Sequence, residues 1–170
     1  MAYRTKTYIA GEWDGDKDAI EKLHEWNKSQ YLSLSFTDAH DLTQARDGSL
    51  NCSIKSSLAI RLNSSKTFVL IVGKKTKDAQ SGNCRYCTSY NSRTRSCARG
   101  RSVDYRSYIE YECNKALNDG LKIVVLYNND SIDISKCPNS VRHTGTHTAM
   151  RHYENGKYYW DYNAVKKALS

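Results

Sequence analysis

Residues 105–125 read YRSYIEYECNKALNDGLKIVV, an amphipathic segment followed by a short apolar run. Tyr105, Tyr108, Ile109, Cys113, Ala116 and Leu117 recur at intervals of three and four, the spacing of one helical face. Glu112 falls on that same face, whereas Glu110 points away from it. Asp119-Gly120 supplies a helix stop, and residues 121–126 form an apolar, β-branched run of the kind a covered strand requires. A carboxylate on the buried side of a helix costs free energy unless it is paired or used. Glu112 is therefore either a structural acid met by one of the arginines or a functional group.

Working outward in both directions, strands and helices alternate. Residues 4–10 (RTKTYIA) predict a first strand, followed by the acidic loop at 11–16. Asp16 is placed to cap a helix running to about Lys28, with Ala19, Ile20, Leu23 and Trp26 inward. Residues 32–36 (LSLSF) alternate strictly and predict a second strand; 37–49 are polar and uncommitted. Leu50, Ile54, Leu58 and Leu62 mark the inner edge of a second helix, and 67–72 (TFVLIV) must be a strand covered on both faces. Residues 73–102 show no period and carry three cysteines, so they form an insertion with a purpose or a mobile loop. Beyond the opening stretch, 146–151 predict a short edge strand, 153–161 a hairpin or aromatic loop about Asn155-Gly156, and 162–169 a closing helix.

This order predicts an α/β domain with a doubly wound, flavodoxin-like parallel sheet of five strands. One domain spans 1–170, with an insertion at about 73–102 and an aromatic extension at about 143–170. Ligands in such sheets sit beyond the carboxyl ends of the strands. The chain carries 26 Lys and Arg against 18 Asp and Glu, a net charge of +8, which suits an anionic partner without requiring one. No apolar run reaches the length of a membrane span, and MAYRTKTYIAGEW is no signal peptide, so a cytoplasmic protein is expected. The six cysteines are then thiols or metal ligands. Cys84-x2-Cys87-x9-Cys97 begins with a metal-knuckle spacing, and structural zinc on these three, with a fourth ligand to be found, stands against free thiols.

Four segments resemble the TIR-like domains of bacterial anti-phage proteins of the Thoeris type. They are KTYIAGEWDGDKDAIEKLHEWNKS (6–29), SFTDAHD (35–41), SLNCSIKSSLAIRLNSSKTFVLIVGKKT (49–76) and YIEYECNKALNDGLKIVVLYN (108–128). The resemblance departs at Tyr108, where these enzymes usually carry Trp, and at Ala10-Gly11-Glu12, where Ser followed by Phe or Tyr is usual. It implies an enzyme that takes NAD as substrate and cleaves between nicotinamide and ribose, with the essential glutamate matching Glu112. It further implies a signalling nucleotide made for a separate effector in anti-phage defence, and self-association through TIR-type loops. Gly11, Trp13, Asp14, Asp38 and Tyr108 are the corresponding candidates for substrate contact, with the loop from Asp38 to Arg46 gating the pocket. Two other functions remain open: a non-catalytic assembly scaffold, and a nucleic-acid-binding module built on the insertion's Arg85, Arg93, Arg95, Arg99 and Arg101 with Tyr86 and Tyr90.

Overall fold

The computed structural model describes residues 3–39 and 50–170. Residues 40–49, which include the expected gating loop from 40 to Arg46, lie outside the described residues. A parallel sheet in the order β1-β2-β5-β6 forms the centre, built from Lys6–Ala10, Ser65–Val72, Lys122–Tyr127 and Thr146–Ala149. Helices α1 (Trp13–Lys28) and α4 (Tyr162–Leu169) pack on one face, with Ile9, Val69, Ile71, Val124 and Leu126 beneath them. Helices α2 (Asn51–Asn63) and α3 (Tyr108–Asn118) cover the other, over Tyr8, Phe68, Leu70, Ile123 and Val125. The alternation of these residues along β2 and β5 explains why both strands are apolar throughout. Within the insertion, Tyr90–Asn91 (β3) and Ser96–Cys97 (β4) form a small antiparallel pair; Arg151–Glu154 (β7) and Lys157–Trp160 (β8) form the predicted hairpin. Asn155 and Gly156 both have positive φ there, as a tight two-residue hairpin turn demands.

The sheet has four strands among the described residues, not five. The segment at 32–36 is no strand, and the edge position beside β1 is held by a single parallel bridge, Thr7 to Asp38. Two local features stop the ladder. Ser35 adopts a left-handed φ of 54°, breaking the alternation that LSLSF advertises. The Asn27 side chain takes both backbone groups of Phe36, donating to its carbonyl at 2.8 Å and accepting from its N–H at 2.9 Å. Asn27→Ala is therefore expected to cost about 1–2 kcal/mol through lost hydrogen bonds. Urea unfolding checks it, and an unchanged midpoint would show that Asn27 does not hold the segment.

Two helix starts also differ from expectation. Helix α1 begins at Trp13, and Asp16 sits inside it at a kink (φ −120°, ψ 19°) instead of capping it. The Asp16 carboxylate turns inward, accepts from Asn128 Nδ2 at 3.0 Å and fills the space beside Gly73. Helix α3 begins at Tyr108, capped by Ser107, whose hydroxyl accepts from the Glu110 N–H at 3.1 Å, so Tyr105 lies before the helix and is exposed. The stop is as expected: Gly120 (φ 69°) donates to Leu117 and Leu121 donates to Ala116, which turns the chain directly into β5.

Candidate active site

A cavity of about 510 Å³ opens at the carboxyl end of β1. Its floor is Tyr8, Ile9 and Ala10, and α2 contributes Ile54 and Leu58 from the leucine-rich stripe. Helix α3 contributes Tyr108, Ile109 and Glu112 on the opposite side. Glu112 lies on the buried face of α3 beside Ile109, Cys113 and Ala116, and is 7% exposed. Tyr8 is fully buried on the neighbouring strand. Burial first, then the negative charge of Glu112 and hydrogen bonding to it, raise the Tyr8 phenol well above its ordinary value, with Arg61 acting weakly the other way. The phenol thus stays protonated and faces the carboxylate.

Gly11, Trp13 and Asp14 line the same cavity. Trp13 is 56% exposed at its mouth, with the Lys17 ammonium 5.7 Å from its ring centroid. Tyr108 is held by its hydroxyl, which donates to Asn51 Oδ1 at 3.2 Å. Its phenol is pushed up to about 12, chiefly by burial and then by the thiols of Cys87, Cys84 and Cys52. Asp38 is not part of this group. It lies 3.3 Å from His24 Nε2, in a separate depression shared with Glu21 and Phe36.

Sequence reasoning missed half of the wall. Tyr8 was distinguished only as part of the first strand, and the insertion's first part, which supplies Lys75, Asp78, Gln80 and Ser81, has no period to betray its course. Glu12 also lines the cavity, and its Oε2 is shielded from solvent with no hydrogen-bond donor among the described residues. A cluster of loop acids at the end of a first strand was the available signal. Among the described residues four carboxylates (Glu12, Asp14, Asp78, Glu112) and one lysine line the cavity, so this lining favours positive charge although the chain is basic.

The wall is clasped to α2 by a buried ammonium. Lys55 Nζ lies 3.3 Å from Asp104 Oδ2 and donates to the Arg106 carbonyl at 2.8 Å. Asp104 also accepts from the Arg106 guanidinium at 2.9 Å. Burial would raise the Asp104 carboxyl, but the hydrogen bonds from Arg106 and the charge of Lys55 outweigh it and hold the value at about 2, below the ordinary 3.8. A depressed folded-state value stabilises the fold above the unfolded value, and that contribution disappears as pH falls from about 4 to about 2. Asp104→Asn is expected to lower the melting temperature at neutral pH and to lose less of it on acidification. Melts across that pH range check this; parallel curves for both proteins would exclude the linkage.

Cys84, Cys87 and Cys97 are brought together, with Cys52 from α2 joining them around a void of about 10 Å³. None of the six cysteines is in a disulfide. Among the described residues, no three His, Cys, Asp or Glu side chains are grouped to hold a metal ion as they stand. Of the insertion's arginines, Arg85 stacks 4.8 Å from the Tyr105 ring centroid and Arg101 binds Cys52 and Ser53. No helix among the described residues is long and apolar enough to cross a membrane.

No curated protein matches the chain. A family match covers residues 7–81, under the description "Thoeris protein ThsB, TIR-like domain". The match takes in the floor and the Gly11–Asp14 rim of the cavity, Ile54, Leu58 and the Lys75–Ser81 wall, and ends before α3. Residues 7–81 are thus similar to the TIR-like domain of Thoeris protein ThsB, the family whose resemblance the sequence carries.

Proposed function

We propose that the cavity binds NAD and that Glu112 promotes cleavage of its nicotinamide–ribose bond, within a TIR-type role in anti-phage defence. One observation carries this: a carboxylate from the buried face of α3 lines a ligand-sized cavity whose other walls lie in the family-matched segment. Breaking the bond leaves an oxocarbenium-like ribose, and a shielded carboxylate beside it stabilises the positive charge. Nicotinamide leaves from a cationic state, so no general acid is required. The protonated Tyr8 phenol orients the Glu112 carboxylate from below. Water attack on the ribose gives ADP-ribose; attack by a ribose hydroxyl or another small molecule gives a signalling nucleotide for a separate effector.

The acid-rich lining suits the cationic nicotinamide end, and Lys75 supplies the one positive charge for the diphosphate. Self-association through TIR-type loops completes the proposal. The test is mass spectrometry of small molecules after incubation with NAD, dilute and under crowding that promotes assembly. Nicotinamide is expected in the assembled sample; its absence at every protein concentration would favour the scaffold. The basic insertion makes nucleic-acid binding the remaining alternative, read out as salt-sensitive retention on DNA or RNA.

A further inference from the structure

Three cysteines of the insertion and Cys52 of α2 lie outside the cavity chemistry, yet the fold gathers them from two distant parts of the chain. Cys52 stands in the first turn of α2, and Cys84, Cys87 and Cys97 come from the turn and hairpin at 84–97. They line one small depression of about 10 Å³ together with Tyr90 and Arg101. Cys52, Cys84 and Cys87 also lie near enough to the Tyr108 phenol for each to bear on its ionisation.

The four are not equivalent. Cys52 is half-buried, and the Arg101 guanidinium donates to its Sγ at 3.3 Å while also reaching Ser53 Oγ at 3.2 Å. Burial opposes ionisation of this thiol, but the hydrogen bond and charge of Arg101 outweigh it and lower its value. Cys84 is buried, and its sulfur accepts the Asp104 N–H at 3.3 Å. Cys87 is half-buried. The remaining pair, Cys113 and Cys137, is buried in the core with thiols pushed up by that burial, the signature of inert cysteines.

We infer that Cys52 is a peroxide-sensitive thiol that resolves into a disulfide with the Cys84-x2-Cys87 pair. The Cys52 thiolate attacks one oxygen of hydrogen peroxide, the O–O bond breaks, and hydroxide leaves to take up a proton as water. The resulting sulfenic acid is attacked by the sulfur of Cys84 or Cys87; the S–O bond breaks, and the hydroxyl departs as water with that thiol's proton. Two thiols are oxidised and one peroxide becomes two waters. A dithiol reductant reverses the bond.

Its position gives the bond a readout at the cavity. Asn51, next to Cys52, accepts from the Tyr108 hydroxyl and donates to the Asn83 carbonyl at 3.1 Å, one residue before Cys84. A Cys52 disulfide therefore pins both supports of Tyr108 together. The modification itself is a property of the thiols and holds whether or not the cavity turns over NAD.

The test uses the full chain, treated with hydrogen peroxide, alkylated and mapped by peptide mass spectrometry. The Cys52 peptide is expected to be cross-linked to the peptide bearing Cys84 and Cys87, and to be released by dithiothreitol. Cys52→Ser loses the cross-link, while Cys84→Ser combined with Cys87→Ser halts oxidation at a Cys52 sulfenic acid that dimedone traps. Arg101→Met slows the first step with every thiol retained. Three results would overturn the inference: no oxidation of Cys52, preferential oxidation of Cys113 or Cys137, or stoichiometric zinc in the purified protein that is lost in Cys84→Ser.

Discussion

Glu112→Gln is expected to abolish nicotinamide release from NAD while leaving the protein folded. The substitution keeps volume and hydrogen-bonding reach but removes the negative charge that faces the developing cation. Losing one such preorganised electrostatic group typically costs about 10²–10³ in rate, so release should fall to the background of that range or below. Stability should move little or rise, because Glu112 is only 7% exposed and a neutral amide is buried at a smaller desolvation penalty. Single-turnover assays with NAD, alongside thermal melts and a binding measurement, separate these effects. A variant that binds NAD and does not cleave it supports the assignment. Full activity in Glu112→Gln would remove Glu112 from the chemistry and return it to a structural acid.

Gly82→Ala carries the second large effect. Gly82 has φ 95°, and a Cβ there would meet the Tyr108 ring and lie 2.7 Å from the Tyr108 backbone nitrogen. The left-handed conformation costs a non-glycine residue about 1–2 kcal/mol. Overpacking against a helix start adds about 1–3 kcal/mol, since backbone cannot rotate away as a side chain can. A total loss of about 2–5 kcal/mol follows from these two sources, measurable by urea unfolding. NAD affinity should fall with it, because Tyr108 lines the cavity and the Ser81 carbonyl accepts its N–H at 2.7 Å. Stability within about 0.5 kcal/mol of wild type would mean that the insertion yields around the substituted position with little strain.

Much of the architecture was legible because apolar periodicity and burial coincide. TFVLIV at 67–72 and the opening helix-to-strand stretch became β2, α3 and β5, and Glu112 emerged on the buried face its spacing predicts. The failures are tertiary. LSLSF has the pattern of a strand, but the Asn27 side chain, nine residues earlier in sequence, competes for the ladder groups of Phe36. Asp16 has the chemistry of a cap, yet Asn128 offers it a partner across 112 residues of chain. Cys52 carries no spacing relation to Cys84, Cys87 and Cys97, so only the packing of α2 against the insertion could bring it to them. Glu12, Lys75 and Tyr8 joined the site for the same reason: their shared cavity is set by the layer order of the fold, which no local pattern encodes.

The kink at Asp16 divides α1 into unequal parts. From Ala19 onward the helix is anchored by Ala19, Ile20, Leu23 and Trp26, whereas the turn before the kink presents Trp13 and Asp14 to solvent at the cavity mouth. The rim of the site therefore carries almost none of the weight of the domain. Substitutions in that turn should therefore alter the ligand contacts of the site at little cost to folding, whereas substitutions at the anchored positions would loosen the helix itself.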